Sequence, residues 1–241
     1  MIAATAVLVS HAFPIALGEG AAEPLYTLTG MSLGGHAVAV FFILSGLLIA
    51  RSFDRGSDLK RFVMARAMRL FPALVLVLLL TVLMGAFVTT LPLSRYFTAT
   101  ETLTYFPRNL SLAFLQYPLP GVFGDNPLPD DINGSLWTLF YEVVCYAAVV
   151  GFGWFGLLRN RIAFTGVFGL ISILFLLAEG WEPAGSLAYR ANALLSLGFP
   201  FALGMLAYVW RNHLKLDFRV AAALWVLPFL GFVDKGYPEF D

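Results

Sequence analysis

Long apolar runs separated by short polar stretches set the rhythm of this chain. They fall at about Ile2–Leu17, Leu33–Ala50, Leu70–Leu91, Leu136–Leu158, Ile162–Ala178, Ala191–Trp210 and Val220–Val233. A helix needs roughly 17–25 mainly apolar residues to cross a bilayer. The first and last runs are short, and both abut a chain end. No water reaches the hydrocarbon to satisfy peptide groups, so a crossing segment must bond internally or close into a barrel. Barrel strands alternate over about ten residues, whereas Ala73–Leu80 reads ALVLVLLL. The pattern predicts an all-α, polytopic transmembrane helical bundle of about seven spans. It is expected to form a single domain over residues 1–241, with 92–134 as an outward loop within it.

The polar stretches set the orientation. Arg51, Arg55, Lys60, Arg61, Arg66 and Arg69 crowd the 51–69 segment; Arg159 and Arg161 hold the 159–161 turn; Arg211, Lys215 and Arg219 hold 211–219. These are eleven of the fifteen basic residues, in three segments that alternate with the others. The positive-inside rule then places the N-terminus and these three loops in the cytoplasm, and 18–32, 92–134 and 179–190 outside. The expected location is the plasma (inner) membrane. The first run lacks a basic leader and carries Pro14, which argues against a cleaved signal peptide. The 92–134 connection is the only long one, and long ordered loops are usually functional. Its semi-apolar stretch Leu110–Leu119 is expected to lie along the membrane interface or to re-enter it.

Composition agrees. Hydrophobic residues make up 59% of the chain and charged residues 12%, against roughly a quarter charged in soluble domains. A formal net charge of zero leaves no basic field for nucleic acid. One cysteine, Cys145, allows no internal disulfide. No HExxH, CxxC, phosphate-binding loop or dinucleotide glycine motif is present, so no metal and no resident cofactor is expected.

A few titratable residues in or beside the spans could carry chemistry. His11, near the outer end of the first, is either a general base working near neutral pH or an interfacial histidine bonded to a carbonyl. Glu142, about two turns into the span that begins near Leu136, needs a partner to stay charged. It either orients His11 or fixes helix packing. His36 could join His11 in a polar cluster, or be an ordinary interfacial residue. Arg66 and Arg69 stand at i and i+3 on one helical face. They could clamp phosphates bidentately, although arginines at a cytoplasmic mouth also serve orientation alone. The Phe41-Phe42 and Ser45-Gly46 pairs read as packing features, the small pair permitting close helix approach.

Four stretches together resemble the membrane acyltransferase 3 family, which O-acylates cell-surface glycans and related acceptors. They are Ala6–Pro14 (AVLVSHAFP), Gly34–Ile49 (GGHAVAVFFILSGLLI), Phe62–Pro72 (FVMARAMRLFP) and Asn133–Glu142 (NGSLWTLFYE). The family has an arginine, ten residues and then a histidine in its first span. His11 matches the histidine, while the arginine would fall one residue before Met1. Family members usually have about ten spans, so the chain is expected to be clipped at both ends.

The resemblance implies a cytoplasmic acyl-CoA donor, most often acetyl-CoA, and a hydroxyl of an extracytoplasmic or lipid-linked carbohydrate as acceptor. His11 would be the acid–base residue, Glu142 its support, and Arg66 with Arg69 the family's Arg-x-x-Arg element that meets the CoA phosphates. The residues leave two other readings open. One is a proton-coupled transporter, since intramembrane His and Glu suit proton relays; the absence of an internal repeat counts against it. The other is an inactive truncated fragment.

Overall fold

The computed structural model describes residues 1–18, 23–56, 58–129, 132–177 and 186–213. Among them, the regular elements are helices: α1 (Ile2–Leu17), α2 (Pro24–Thr29), α3 (Leu33–Arg55), α4 (Leu59–Val88), α5 (Leu93–Thr98), α6 (Thr100–Leu110), α7 (Trp137–Trp154), α8 (Arg161–Leu177) and α9 (Ser186–Val209). Short 3-10 turns at Gly134–Leu136 and Leu157–Arg159 precede α7 and α8. Four helical segments are long and apolar enough to cross a membrane: Leu33–Arg55, Leu59–Val88, Gly134–Trp154 and Leu187–Val209. Two shorter apolar helices, Ile2–Leu17 and Arg161–Leu177, accompany them. Among the described residues the chain is thus an all-α, multi-pass membrane-helix protein with four clear spans. The expected run at Val220–Val233 lies outside the described residues.

One boundary differs from the sequence reading. The basic 51–69 segment, expected as a loop, is largely helical: α3 runs on to Arg55, and α4 begins at Leu59. Asp58 caps α4 by accepting from the Lys60 N–H at 2.9 Å. From there the Lys, Arg, Met and Ala residues are good helix formers with no breaker among them. At 30 residues, α4 is about 45 Å long, well beyond the roughly 30 Å hydrocarbon thickness. Its basic first turns are the natural overhang.

The chain divides into two compact units. One holds Met1–Phe13, Ala22–Ser57 and Val144–Asp241. Its centre is the α3–α9 pair. A Cβ on Gly46 of α3 would collide with the Phe201 carbonyl of α9, and one on Gly204 of α9 would collide with the Ile43 carbonyl of α3. The two backbones therefore touch where both lack a side chain, the small-residue packing anticipated at Ser45-Gly46. Gly153 of α7 similarly receives the Phe53 ring. Stacked rings of Phe168 and Phe175 on α8 and Phe199 on α9, with centroids 5.6 and 4.6 Å apart, close the α8–α9 contact.

The other unit holds Pro14–Ala21 and Asp58–Val143. Its core is Leu74 and Leu78 of α4 with Tyr96, Tyr105, Leu112, Leu119, Val122 and Leu136. Leu110–Leu119 packs into this core through Leu112 and Leu119. Two buried amides hold it there. Asn109 Nδ2 donates to the Gln116 carbonyl at 2.9 Å, and Gln116 N–H returns a bond to Asn109 Oδ1 at 3.0 Å. Gln116 Nε2 donates to the Glu101 carbonyl at 2.7 Å. Burial raises the Tyr96 phenol above its ordinary pKa; the hydroxyl stays protonated and donates to the Val82 carbonyl at 2.8 Å. On α4, Leu76, Leu79, Leu80 and Leu83 remain exposed, a surface suited to lipid rather than water.

Candidate functional site

The polar groups of the first unit gather where α1, α2 and α3 meet. Glu23, just before α2, is only 8% exposed. One carboxylate oxygen accepts from Ser10 Oγ on α1 at 2.7 Å, and the other from the Leu33 N–H at the start of α3 at 2.9 Å. A carboxylate there satisfies an orphan N–H and meets the positive end of the helix dipole. Ser32 completes the cap by accepting from the Gly35 N–H at 3.0 Å. One turn on, His36 is 2% exposed, with Nε2 at 3.1 Å from Thr29 Oγ1. The Glu23 carboxylate acts on this imidazole electrostatically. His36 also lines a largely apolar cavity of about 700 Å³ between α1, α2 and α3, bordered by Val9, Leu25, Leu33 and Val40.

His11 follows Ser10 on α1 and is exposed. The structure therefore brings together Ser10, Glu23, Thr29 and His36. Glu23 and Thr29 were not singled out from the sequence. Glu23 lies in the 18–32 stretch read only as an outward loop, and the signal that could have found it is its place before Pro24, opening α2. A long-range bond to the next helix leaves no local pattern.

In the second unit, α4 presents Arg66 half-buried and Arg69 exposed. The Arg66 guanidinium lies over the Phe62 ring, 5.7 Å from its centroid. Its Nε is buried and makes no hydrogen bond among the described residues. A buried donor without an acceptor costs about 1–3 kcal/mol, and an anionic ligand would supply the missing acceptor. Glu142 is half-buried on α7. Asn133, at the head of the fourth motif, proves to be a fastener: Nδ2 donates to Thr81 Oγ1 at 2.8 Å and to Tyr105 Oη at 3.0 Å. Among the described residues, no group of three His, Cys, Asp or Glu is gathered as metal ligands.

Comparison with known proteins completes the picture. An O-acetyl transferase of Shigella phage Sf6 is 31% identical over 211 residues, covering 86% of this chain and 60% of that protein. Nodulation protein 10 of Rhizobium leguminosarum bv. viciae is 34% identical over 115 residues, covering 45% of this chain and 30% of that protein. The chain thus spans about 60% and 30% of the length of these two relatives. No solved structure matches it. The acyltransferase-domain family matches residues 1–233. With nearly its whole length inside that match, the chain belongs to the acyltransferase 3 family.

Proposed function

We propose that the protein transfers an acyl group, acetyl in the first instance, from cytoplasmic acyl-CoA to a hydroxyl of an extracytoplasmic or lipid-linked carbohydrate. Family membership supports acyl transfer, and the phage relative's name supports acetyl on oxygen. The observation in the structure that carries the donor is the buried, unsatisfied Nε of Arg66. In this reading Arg66 and Arg69, a turn apart on α4, grip the CoA phosphates by charge-assisted hydrogen bonds. Their place in the basic segment puts them on the cytoplasmic side by the positive-inside rule. The whole chain then sits in the plasma membrane with its N-terminus in the cytoplasm and about seven spans.

His11 is the acid–base residue of the proposal. Its imidazole takes the proton of the acceptor hydroxyl as that oxygen attacks the thioester carbonyl. The carbon–sulfur bond breaks, and the CoA thiolate leaves with the proton returned by the imidazolium. Ester and free thiol are the products. Glu142 is assigned support of the imidazolium, and His36 the place of a polar neighbour. The proton-coupled transporter loses ground to the family match.

The test uses protein reconstituted in nanodiscs, with acetyl-CoA consumption read as free thiol. His11→Ala is expected to lower turnover by at least about 100-fold. Arg66→Ala with Arg69→Ala is expected to raise the acetyl-CoA KM about tenfold or more while leaving orientation intact, since other basic residues remain in the segment. Turnover like wild type in the histidine variant removes His11 from the chemistry. An unchanged KM in the arginine variant removes the clamp.

A further inference from the structure

A second cationic site lies at the other end of α3 from His36, within the first unit. Asp54, in the last turn of α3, accepts from Arg159 Nε at 3.2 Å and from Arg211 at 3.3 Å. Tyr208 Oη donates to the same carboxylate at 2.7 Å. Arg161 lies beside these, with NH1 in hydrogen-bond contact with the His213 ring and its guanidinium over the Trp210 ring, 5.4 Å from the centroid. Trp210 is itself held by donation from Nε1 to Thr165 Oγ1 at 3.0 Å. Arg159, Asn160, Arg161, Arg211, Asn212 and His213 line a cleft of about 590 Å³.

The positive-inside rule explains why arginines lie on this side. It does not explain why two basic segments about fifty positions apart in sequence converge on one concavity. Two guanidiniums, of Arg159 and Arg211, share a single carboxylate whose two oxygens are already taken, and the third, of Arg161, lines the same cleft with no acid of its own among the described residues. The N-terminus of the 17-residue α8, which starts at Arg161, adds its positive dipole end. Arg159 commits only Nε to Asp54 among the described residues, and its side chain is 79% exposed. Its two terminal amino groups are therefore available as a fork. Arg161 and Arg211 are already oriented, the latter by stacking over Tyr208 at 4.0 Å and donating to the Tyr208 carbonyl at 3.0 Å. Pre-oriented donors lose little freedom on binding. The excess charge, the fork and the concave shape together suit a doubly charged phosphate, which planar guanidiniums hold bidentately.

We propose that this cleft is a binding site for a phosphate monoester, separate from the Arg66–Arg69 element. The proposal goes beyond the transfer reading and stands whatever the acyl donor. Such a phosphate has two sources at a membrane surface, a soluble nucleotide and an anionic lipid headgroup, and the experiment separates them. The full chain is placed in phosphatidylcholine nanodiscs. Adenosine 3',5'-bisphosphate is titrated by calorimetry, and retention of phosphatidic acid doped into the disc is read by native mass spectrometry.

Arg159→Gln with Arg161→Gln should weaken one of the two probes by about tenfold or more, and Arg159→Lys with Arg161→Lys should restore part of that loss by restoring charge without the fork. Loss of the nucleotide identifies a soluble ligand, and loss of the lipid identifies a headgroup. If both probes bind the glutamine variant within twofold of wild type, the site does not exist. Size-exclusion profile and far-ultraviolet circular dichroism of each variant report folding separately. The acetyl-CoA KM of the Arg66→Ala, Arg69→Ala variant reports the other element, so failure of one proposal leaves the other readable.

Discussion

The same chemical group stands at both ends of α3, and the two ends keep it in opposite ways. Glu23 meets the N-terminus of the helix, where unsatisfied N–H groups and the dipole favour negative charge. Two hydrogen bonds, from Ser10 and from Leu33, are its direct partners, and it lies almost wholly out of water. Asp54 stands in the last turn, where the dipole is unfavourable to an acid. It carries two guanidiniums and a phenol, and its partner Arg159 is largely exposed. One carboxylate is held by uncharged donors out of water, the other, its side chain 14% exposed, by charged partners that reach water. The difference predicts how each should respond to mutation and to salt.

The largest effect is expected from Glu23→Ala. It leaves the Ser10 hydroxyl and the Leu33 N–H without their acceptor at a junction of three helices. We expect a loss of about 2–3 kcal/mol, seen as a lower thermal midpoint by tryptophan fluorescence in detergent. Glu23→Gln should cost about 1 kcal/mol or less, because an amide oxygen still accepts from Leu33 and the Ser10 hydroxyl can turn to accept from the amide nitrogen. Neither loss should depend on ionic strength. A glutamine variant as damaged as the alanine would mean that charge, not bonding, holds this end, and the contrast would collapse.

Asp54→Asn comes next. It removes the counter-charge of two arginines, but water can reach them. About 1 kcal/mol is expected at low salt. That difference should shrink markedly at about 1 M salt, where the Debye length is about 3 Å. A loss as large as that of Glu23→Ala, and indifferent to salt, would place Asp54 in a buried network like its counterpart.

The contrast also explains what the chain made legible. The greasy runs marked the spans because hydrocarbon demands an uninterrupted apolar stretch, and Ile2–Leu17 carries the bounds of α1 itself. Gly46 was legible as a contact because a small residue in a span has few other uses. The start of α4 was missed because basic residues signal a side of the membrane and say nothing against a helix. Arg66 and Arg69 were legible as one face; the orphaned Nε beside Phe62 needed coordinates. Glu23 and Asp54 were passed over for a shared reason. Each acts on groups brought by the fold from outside its own helix, Ser10 at one end and Arg159 and Arg211 at the other, and pairing across that distance leaves no periodic trace.

The smallest effect is expected from Arg159→Gln, and its smallness is informative. The side chain gives Asp54 one of its two guanidinium contacts and is 79% exposed, so screening leaves it little stabilising energy, about 0.5 kcal/mol or less. Arg211 and Tyr208 remain on the carboxylate and keep it satisfied. The thermal midpoint should therefore stay near that of wild type at any ionic strength. A large drop would show that Arg159 is a strut of the α3–α9 end rather than an available fork. The phosphate-binding cleft would then lose its most available donor. A near-neutral substitution that still weakens phosphate binding would separate ligand recognition from stability at this end of the helix, a separation that Glu23, buried in its own bonds, does not permit at the other.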